Sequence, residues 1–202
     1  TDFDGDSATG TQKTIDLGGN VGFDDATPSV TVAASDSALV KVVTQDADVG
    51  ANGSDSATSA ANLGSIFGAT PTYGADGAAA TNPLVWSYTL NATDGTDSGL
   101  SSHGSAIYLY KVGNDVIGST DHTGVGTYTA GSDAFKISVD ATGVLTLTQS
   151  KAIDHAAGTT QVLLADGKVT LSGNATVTDF DGDSATGTQK TIDLGGNVGF
   201  DD

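Results

Sequence analysis

The chain has 202 residues with 25 acidic side chains, all aspartate, and seven basic ones, all lysine, so its formal net charge is −18 at pH 7. So acidic a chain, without arginine, is poorly suited to neutralising phosphates, which argues against nucleic-acid binding. The absence of cysteine excludes disulfides, zinc–thiolate sites and thiol catalysis. No run of 18 apolar residues is present, so we expect no membrane insertion by this segment.

Large apolar side chains are scarce. Leucine, isoleucine, valine and phenylalanine together account for about one residue in five, which for so charged a chain is close to the composition of disordered proteins. Glutamate, arginine and methionine are absent, and glycine, threonine, serine and aspartate dominate, so helix is disfavoured throughout. Any fold of this chain therefore has to be built mainly from strands.

Short β-prone runs, separated by glycine, aspartate and asparagine, follow one another along the chain. In chain order they are Ser29–Ala33, Leu39–Thr44, Leu84–Asn91, Ala106–Val112, Ala134–Val139, Val144–Gln149, Gln161–Leu164, Lys168–Thr178 and Ser184–Ile192. About nine strands at this spacing predict an all-β fold, an antiparallel β-sandwich.

Turn residues refine this prediction. Asp140-Ala141-Thr142-Gly143 is typical of a hairpin turn between the two strands that flank it, and Ala165-Asp166-Gly167 is expected to join the next pair. Residues 45–65 are of low complexity and are expected to form a long loop with weak structure. Trp86 and four tyrosines are expected to anchor the core or its edge, namely Tyr88, Tyr108, Tyr110 and Tyr128. A carbohydrate-stacking surface is the alternative interpretation of these aromatic residues.

The chain is framed by a duplication. Its first 25 residues, TDFDGDSATGTQKTIDLGGNVGFDD, recur unchanged as residues 178–202. The offset of 177 residues is far longer than a solenoid repeat, so each repeating unit should be a whole domain of a tandem array. Residues 1–26 are therefore interpreted as the C-terminal strand and linker of a preceding repeat, and residues 27–202 as one β-sandwich module with its own linker.

Aspartates alternate in the run Asp-Phe-Asp-Gly-Asp, which occurs once in each copy of the duplicated segment. In a loop bent at the glycine, three carboxylates converge on one point, and oxygen-only ligands favour a hard cation, Ca²⁺ before Mg²⁺. The run lacks the glutamate of an EF-hand loop, and a metal-free Asp-Gly turn is the alternative. The candidate ligands are Asp2, Asp4 and Asp6, and again Asp179, Asp181 and Asp183.

A second acidic group closes each copy. It comprises Asp16, Asp24 and Asp25, and again Asp193, Asp201 and Asp202. Pro28 follows the first of these groups and marks the point where one module ends and the next begins. Ca²⁺ bridging such a junction would stiffen it, whereas a merely solvated acidic linker is the alternative.

Other motifs carry little weight. The run Gly18–Asp24 looks like the calcium-binding nonapeptide of β-rolls, but a β-roll needs many consecutive copies and this run occurs once per repeat. The histidines His103, His122 and His155 lack the nucleophile elbow of a hydrolase, so we do not expect an enzyme.

Five motifs in one order resemble the large tandem repeats of RTX adhesins, which are calcium-dependent surface proteins that Gram-negative bacteria export by type I secretion and use in biofilm formation. The motifs are Tyr73–Gly77, Ser98–Leu100, Asp140–Gln149, Ala152–His155 and Val177–Ala185. The resemblance implies immunoglobulin-like or cadherin-like β-sandwich modules with Ca²⁺ at their junctions, where Asp154 and, more weakly, Asp76 and Asp36 are further candidate ligands.

By the same resemblance the chain is expected outside the cell, on the bacterial surface. Its role would be that of an extender module, with neighbouring repeats of the same chain as partners, projecting a distal adhesive domain. A ligand-binding module for carbohydrate or protein is the alternative function.

Overall fold

The computed structural model describes residues 1–35, 40–59, 66–123 and 127–202. The elements in chain order are β1 (Ser29–Ala34), β2 (Val42–Gln45), α1 (Asp46–Asn52), β3 (Asp55–Thr58), β4 (Phe67–Thr72), β5 (Leu84–Asn91), β6 (Thr96–Ser102), β7 (Ser105–Val112), β8 (Asp115–Ser119), β9 (Asp133–Val139), β10 (Leu145–Gln149), β11 (Gln161–Leu163), β12 (Thr170–Thr178), β13 (Ser184–Thr186), β14 (Lys190–Asp193) and β15 (Val198–Asp201). The prediction of an all-β, antiparallel sandwich is confirmed. The strand number of about nine was too low, because several short, polar strands give no clear apolar signal.

One layer is a six-stranded antiparallel sheet in the order β3-β10-β9-β8-β7-β6. Its centre follows the alternation seen in the sequence, since Leu145 and Leu147 of β10 are buried and the threonines between and after them are less so. The predicted hairpin between β9 and β10 is confirmed. Asp140 Oδ1 accepts hydrogen bonds from the Thr142 and Val144 amides, each 2.9 Å long, and so holds this turn.

The opposing strands form three smaller sheets. The long strand β12 pairs with β5 along one edge and with both β13 and β14 along the other. Strand β15 lies between β11, to which it is antiparallel, and β2, to which it is parallel. Strands β1 and β4 form a separate antiparallel pair.

The turn at Asp166-Gly167 exists, and Gly167 has a positive φ of 73°. However, the prediction that it joins a pair of adjacent strands was wrong. Strand β11 pairs with β15, whereas β12 pairs with β5, so the turn passes the chain from one sheet to another. Turn chemistry fixes a local reversal but does not choose the strand's partner.

One apolar cluster fills the space between the layers. Phe135 of the six-stranded sheet meets Phe200 of β15 with ring centres 5.2 Å apart, and Phe67 packs against Trp86 and Tyr88 at 6.4 and 6.0 Å. Trp86 and Tyr88 therefore anchor the core as expected, with Tyr88 buried and Trp86 half-buried against the cluster. Tyr108 stacks instead on His122, and Tyr110 contacts Tyr128.

The interpretation of residues 45–65 as a weakly structured loop was wrong for two segments, which form α1 and β3. Two acids in the first turn of α1, Asp46 and Asp48, suit the positive end of the helix dipole, and Gly53 ends the helix with φ 81°. Residues 60–65 lie outside the described residues. In the described part of the chain no helix is long and apolar enough to span a bilayer.

The duplicated segment adopts two states. As residues 178–202 it completes β12 and forms β13, β14 and β15, whereas as residues 1–25 it forms no strand and is exposed throughout. The same 25-residue sequence thus forms strands where β2, β11 and β12 pair with it, and forms none as residues 1–25, which pair with no strand in the described structure. Strand pairing here is decided by tertiary context rather than by local preference.

Candidate metal centre

The loop between β12 and β13 gathers the second Asp-Phe-Asp-Gly-Asp run. The Asp179 amide donates to the Asp183 carbonyl at 3.0 Å, and the Gly182 amide donates to Asp179 Oδ1 at 3.2 Å. Gly182 has φ 107°, a conformation that favours glycine. The tight bend turns the carboxylates of Asp179, Asp181 and Asp183 toward one another, as the sequence predicted.

A fourth carboxylate reaches this loop from the other end of the module. One oxygen from each of Asp25, Asp179, Asp181 and Asp183 lies within 4.8 Å of the others. The backbone of Ala26 packs so closely against Gly74 that a β-carbon at that position would overlap the Ala26 carbonyl. The segment before β1 can therefore lie here only because residue 74 has no side chain. The group of Asp25, Asp179, Asp181 and Asp183 is called the junction cluster below.

Asp76 faces the junction cluster as well. A hydrogen bond with Asp25 and the repulsion between these two carboxylates raise the pKa of Asp76, and Asp181 and Asp179 add to the repulsion. Repulsion from Asp181, together with a hydrogen bond to Asp25, likewise raises the pKa of Asp183. Crowding of this kind favours the protonated form of a carboxyl group, and a bound cation would oppose that effect.

Asp179 is the buried member of the cluster. Its residue is fully buried, and its Oδ2 atom has no hydrogen-bond partner. Burial, and then the neighbouring carboxyl group of Asp181, raise the pKa of the Asp179 carboxyl group. A buried, unsatisfied carboxylate oxygen is costly. The four carboxylate groups of the junction cluster are oxygen donors that could hold a hard divalent cation.

The first copy of the run provides an internal comparison. The Asp2 amide donates to the Asp6 carbonyl at 2.8 Å, and one oxygen each from Asp2, Asp4 and Asp6 lies within 4.8 Å of the others. A hydrogen bond with Asp4, above all, lowers the pKa of Asp2. The local bend is therefore encoded in the run itself, but here every carboxylate is exposed and no linker aspartate joins them.

A third group, which the sequence did not suggest, comprises Asp46, His155 and Asp202. Both ring nitrogens of His155 contact carbonyl oxygens, Nδ1 that of Ile153 at 2.8 Å and Nε2 that of Phe200 at 3.0 Å. Burial opposes the charged imidazole, but these carbonyls and the carboxylates of Asp46 and Asp202 outweigh it and raise the pKa of His155. Since both nitrogens are engaged, this group fastens β15 to the module rather than offering ligands.

The remaining candidate ligands lie apart from these groups. Asp16 accepts from the Gly18 amide, Asp193 from the Gly167 and Gly195 amides, and Asp201 from the Gln161 side chain. Asp24 is exposed, and Asp36 lies outside the described residues. In the described structure none of these shares a carboxylate cluster with the others, so their role in metal binding stays a prediction.

Asp154 holds a turn. Its two oxygens accept hydrogen bonds from the His103 and Gly104 amides, each 2.8 Å long, at the tip of the β6–β7 hairpin. These bonds, led by the one from Gly104, lower the pKa of Asp154. His103 has a positive φ of 49°, which is rare outside glycine, and the carboxylate stabilises that conformation.

A model of the DUF5801 family, described as a domain of unknown function, matches residues 32–195. The chain belongs to the DUF5801 family. No curated protein and no solved structure matches it. The matched part of the DUF5801 domain contains Asp76 and the Asp179–Asp183 loop, whereas Asp25 and Asp202 lie just outside it. The junction cluster is therefore assembled from the domain and from the segment that leads into it.

Proposed function

We propose that this DUF5801 domain is a calcium-stiffened extender module of a bacterial surface adhesin. The observation that carries the proposal is the buried, unpartnered Oδ2 of Asp179 in a cluster that also contains Asp25. In this role the domain spaces a distal adhesive domain from the cell surface and takes part in attachment and biofilm formation, and its function is mechanical rather than catalytic.

The chemistry of the junction cluster fits Ca²⁺. Its donors are all carboxylate oxygens, which hard cations prefer, and Asp76 adds a further carboxyl group at its edge. A bound divalent ion would neutralise part of the local negative charge and provide the partner that Asp179 lacks. Sites of extracellular type bind Ca²⁺ with Kd values of roughly 10⁻⁴–10⁻³ M. Each such site adds about 0.4–1.4 kcal/mol to the stability of the fold when calcium is at about 1 mM.

Stiffening follows from where the ligands come from. Asp25 precedes β1, whereas Asp179, Asp181 and Asp183 lie between β12 and β13. An ion held by both fixes the incoming segment to the body of the domain, and without it the carboxylates repel one another. Asp202 is the residue equivalent to Asp25 in the duplicated segment. In a tandem array it would stand in the same position before the next module, so the same contact would recur at every junction.

The composition of the chain is compatible with a location outside the cell. A chain without cysteine needs no disulfide and can be exported unfolded, and a weak calcium site fills only where calcium is abundant. We therefore propose type I export, folding outside the cell and a location on the cell surface, with neighbouring repeats as partners.

The alternative, a ligand-binding module, has less support. Trp86 is not a free platform, because its ring stacks on Tyr88 with centres 5.9 Å apart and packs against the core. The depression that it lines with Asn114 and Asp140 has a volume of about 270 Å³. Typical small-molecule sites enclose roughly 300–1,000 Å³.

Thermal unfolding with calcium and with excess chelator tests the proposal. We expect calcium to raise the Tm of the wild-type chain and Asp179→Asn to remove most of that rise. Asp2→Asn is the matched control, because it makes the same change in the exposed copy of the same run, and it should leave the rise intact. A wild-type Tm that does not change with calcium would refute calcium binding. If Asp179→Asn and Asp2→Asn reduce the calcium-dependent rise in Tm equally, the assignment of the site to the junction cluster is refuted.

Stiffening needs its own measurement. X-ray scattering from a protein with two complete modules in series should give a longer maximum dimension with calcium than with chelator. If the dimension is unchanged while the Tm responds, calcium stabilises the domain but does not stiffen the junction.

A further inference from the structure

The N-terminal segment has apolar side chains that are in contact with solvent but are core residues in its second copy. Phe23 is 97% exposed whereas its equivalent Phe200 is 0% exposed, and Ile15 is 82% exposed whereas Ile192 is 6% exposed. Leu17 and Val21 are exposed in the same way, and their equivalents are buried. Residues 1–25 are called the arm below.

The second copy defines the place that these side chains fit, which is called the slot. Strands β13 and β14 pair with the edge of β12, and β15 inserts between β2 and β11. Phe200 lies opposite Val162 on one side and Thr44 on the other, with its ring against Phe135. Main-chain pairing gives such strand addition its affinity, and the alternating pockets give it register.

Glycines also match the arm to the slot. A β-carbon at Gly187 would meet Val30 and Val32, and one at Gly195 would overlap the backbone of Asp166, so the slot requires glycine at both positions. The arm carries Gly10 and Gly18 at the equivalent positions. Nothing in the arm requires glycine at position 10, because a β-carbon there would have no neighbour, and a β-carbon at Gly18 would contact only the nearby Asp16 side chain.

We propose that the arm of one molecule occupies the slot of a second copy of this chain, in place of that copy's own residues 178–202. The contacts are identical because the sequences are identical. The two segments also share their first bend, because the Asp2 amide donates to the Asp6 carbonyl just as the Asp179 amide donates to the Asp183 carbonyl. The 202-residue chain contains one arm and one slot, so exchange between copies of this chain joins them head to tail. The interaction surface is therefore the edge of β12 together with the gap between β2 and β11.

The slot is contested by the chain's own residues 178–202, which are covalently linked to it, and by the arms of other molecules. The chain's own segment competes at an effective concentration in the millimolar range, so arms of other molecules win only in proportion to protein concentration. At about 0.1 mM protein we expect on the order of one slot in ten to hold a foreign arm after refolding. Exchange is negligible at high dilution.

Cysteine trapping tests this directly, since the natural chain has no cysteine. Gln161 pairs with Asp201, whose equivalent in the arm is Asp24. The Gln161→Cys/Asp24→Cys variant, refolded at high concentration with calcium and then oxidised, should give disulfide-linked dimers and longer chains. Gln161→Cys/Asp201→Cys should give cross-linked monomer alone. The variant Gln161→Cys/Asp4→Cys is out of register, because Asp4 is equivalent to Asp181 and not to Asp201, and it gives the background level of disulfide-linked dimer.

Two outcomes would overturn the proposal. Dimer yield no higher than the out-of-register background would show that the arm does not enter the slot. Cross-linked monomer from Gln161→Cys/Asp24→Cys would show that the arm folds back on its own molecule instead.

A second measurement does not depend on disulfide chemistry. Phe200→Asp places a charge in the core and disables the chain's own segment, while Phe23 in the arm stays intact. The folded fraction of this variant should therefore rise several-fold with protein concentration, and that of Phe23→Asp/Phe200→Asp should not. Equal folded fractions of the two variants at every concentration would refute the proposal.

Discussion

Phe200 and Phe23 have the same sequence neighbours but opposite environments, so truncating each to alanine isolates the effect of burial. Phe200 is fully buried between β2 and β11 with its ring on Phe135. Removing such a phenylalanine costs about 3–5 kcal/mol, through lost apolar burial and the cavity left behind. For a domain of this size each kcal/mol lowers Tm by about 2–4 °C, so Phe200→Ala should lower it by about 6–20 °C. Phe23→Ala should change stability by less than about 0.5 kcal/mol.

The assay is urea unfolding at high dilution, where copies do not exchange segments, with calcium held constant. Trp86, the single tryptophan, packs against the core cluster, so its fluorescence reports unfolding of the whole domain. The midpoint should fall in Phe200→Ala while the slope with urea stays unchanged. Similar losses in both variants, or a loss below about 1 kcal/mol at Phe200, would show that residues 178–202 are not part of the core.

Three further predictions concern packing, pH and a turn. Gly118→Ala should destabilise the domain by about 1–3 kcal/mol in urea unfolding, because the new β-carbon overlaps the Phe135 ring, whereas Gly50→Ala in α1, with open space around it, should stabilise it by about 0.5–1 kcal/mol. Without calcium, the raised pKa of Asp179 means that the folded state keeps this proton to a higher pH than the unfolded state does. The free energy of unfolding should therefore fall as pH rises above about 4, and Asp179→Asn should reduce that fall. A free energy of unfolding that rises with pH in this range would contradict the assignment. Asp154 has a lowered pKa, so the stability that its carboxylate adds is present above about pH 4 and is lost on acidification. At pH 7, Asp154→Asn should speed hydrogen exchange of the His103 and Gly104 amides, which donate to this carboxylate. Unchanged exchange would show that these hydrogen bonds are dispensable.

Strands with strong alternation were predictable from the sequence, and polar or glycine-rich strands were not. Leu84–Asn91 is found with the predicted bounds as β5. Strand β6 was missed because Thr96–Ser102 contains one large apolar residue and an irregular register around Gly99. Strand β15 was missed because Gly199, and Gly195 and Gly196 just before the strand, interrupt the apolar signal of Val198 and Phe200. The predicted strand Ser184–Ile192 is split into β13 and β14, both of which pair with β12.

For the candidate metal centre, too, one part could be predicted from the sequence and another could not. Convergence of Asp179, Asp181 and Asp183 follows from local bending at a glycine and could be predicted. Their union with Asp25 depends on how loops far apart in sequence pack together. The sequence placed Asp25 with Asp24 at the junction, but it contained no signal that this junction folds against the β12–β13 loop.

The parallel pairing of β2 and β15 determines how the domain bears load. Strand β2 lies near the start of the folded domain and β15 at its end, and the two run side by side from Val42 beside Val198 to Gln45 beside Asp201. Strand β1 lies before β2 and pairs with β4, so tension on the two ends of the domain acts on β1 first. Once β1 has separated from β4, the tension pulls β2 and β15 in opposite directions along their common axis. Their hydrogen bonds are then loaded together in shear, instead of breaking one after another as in an unzipped hairpin. A tether of such domains would yield abruptly at a high force, and each domain would then release its length in a single step.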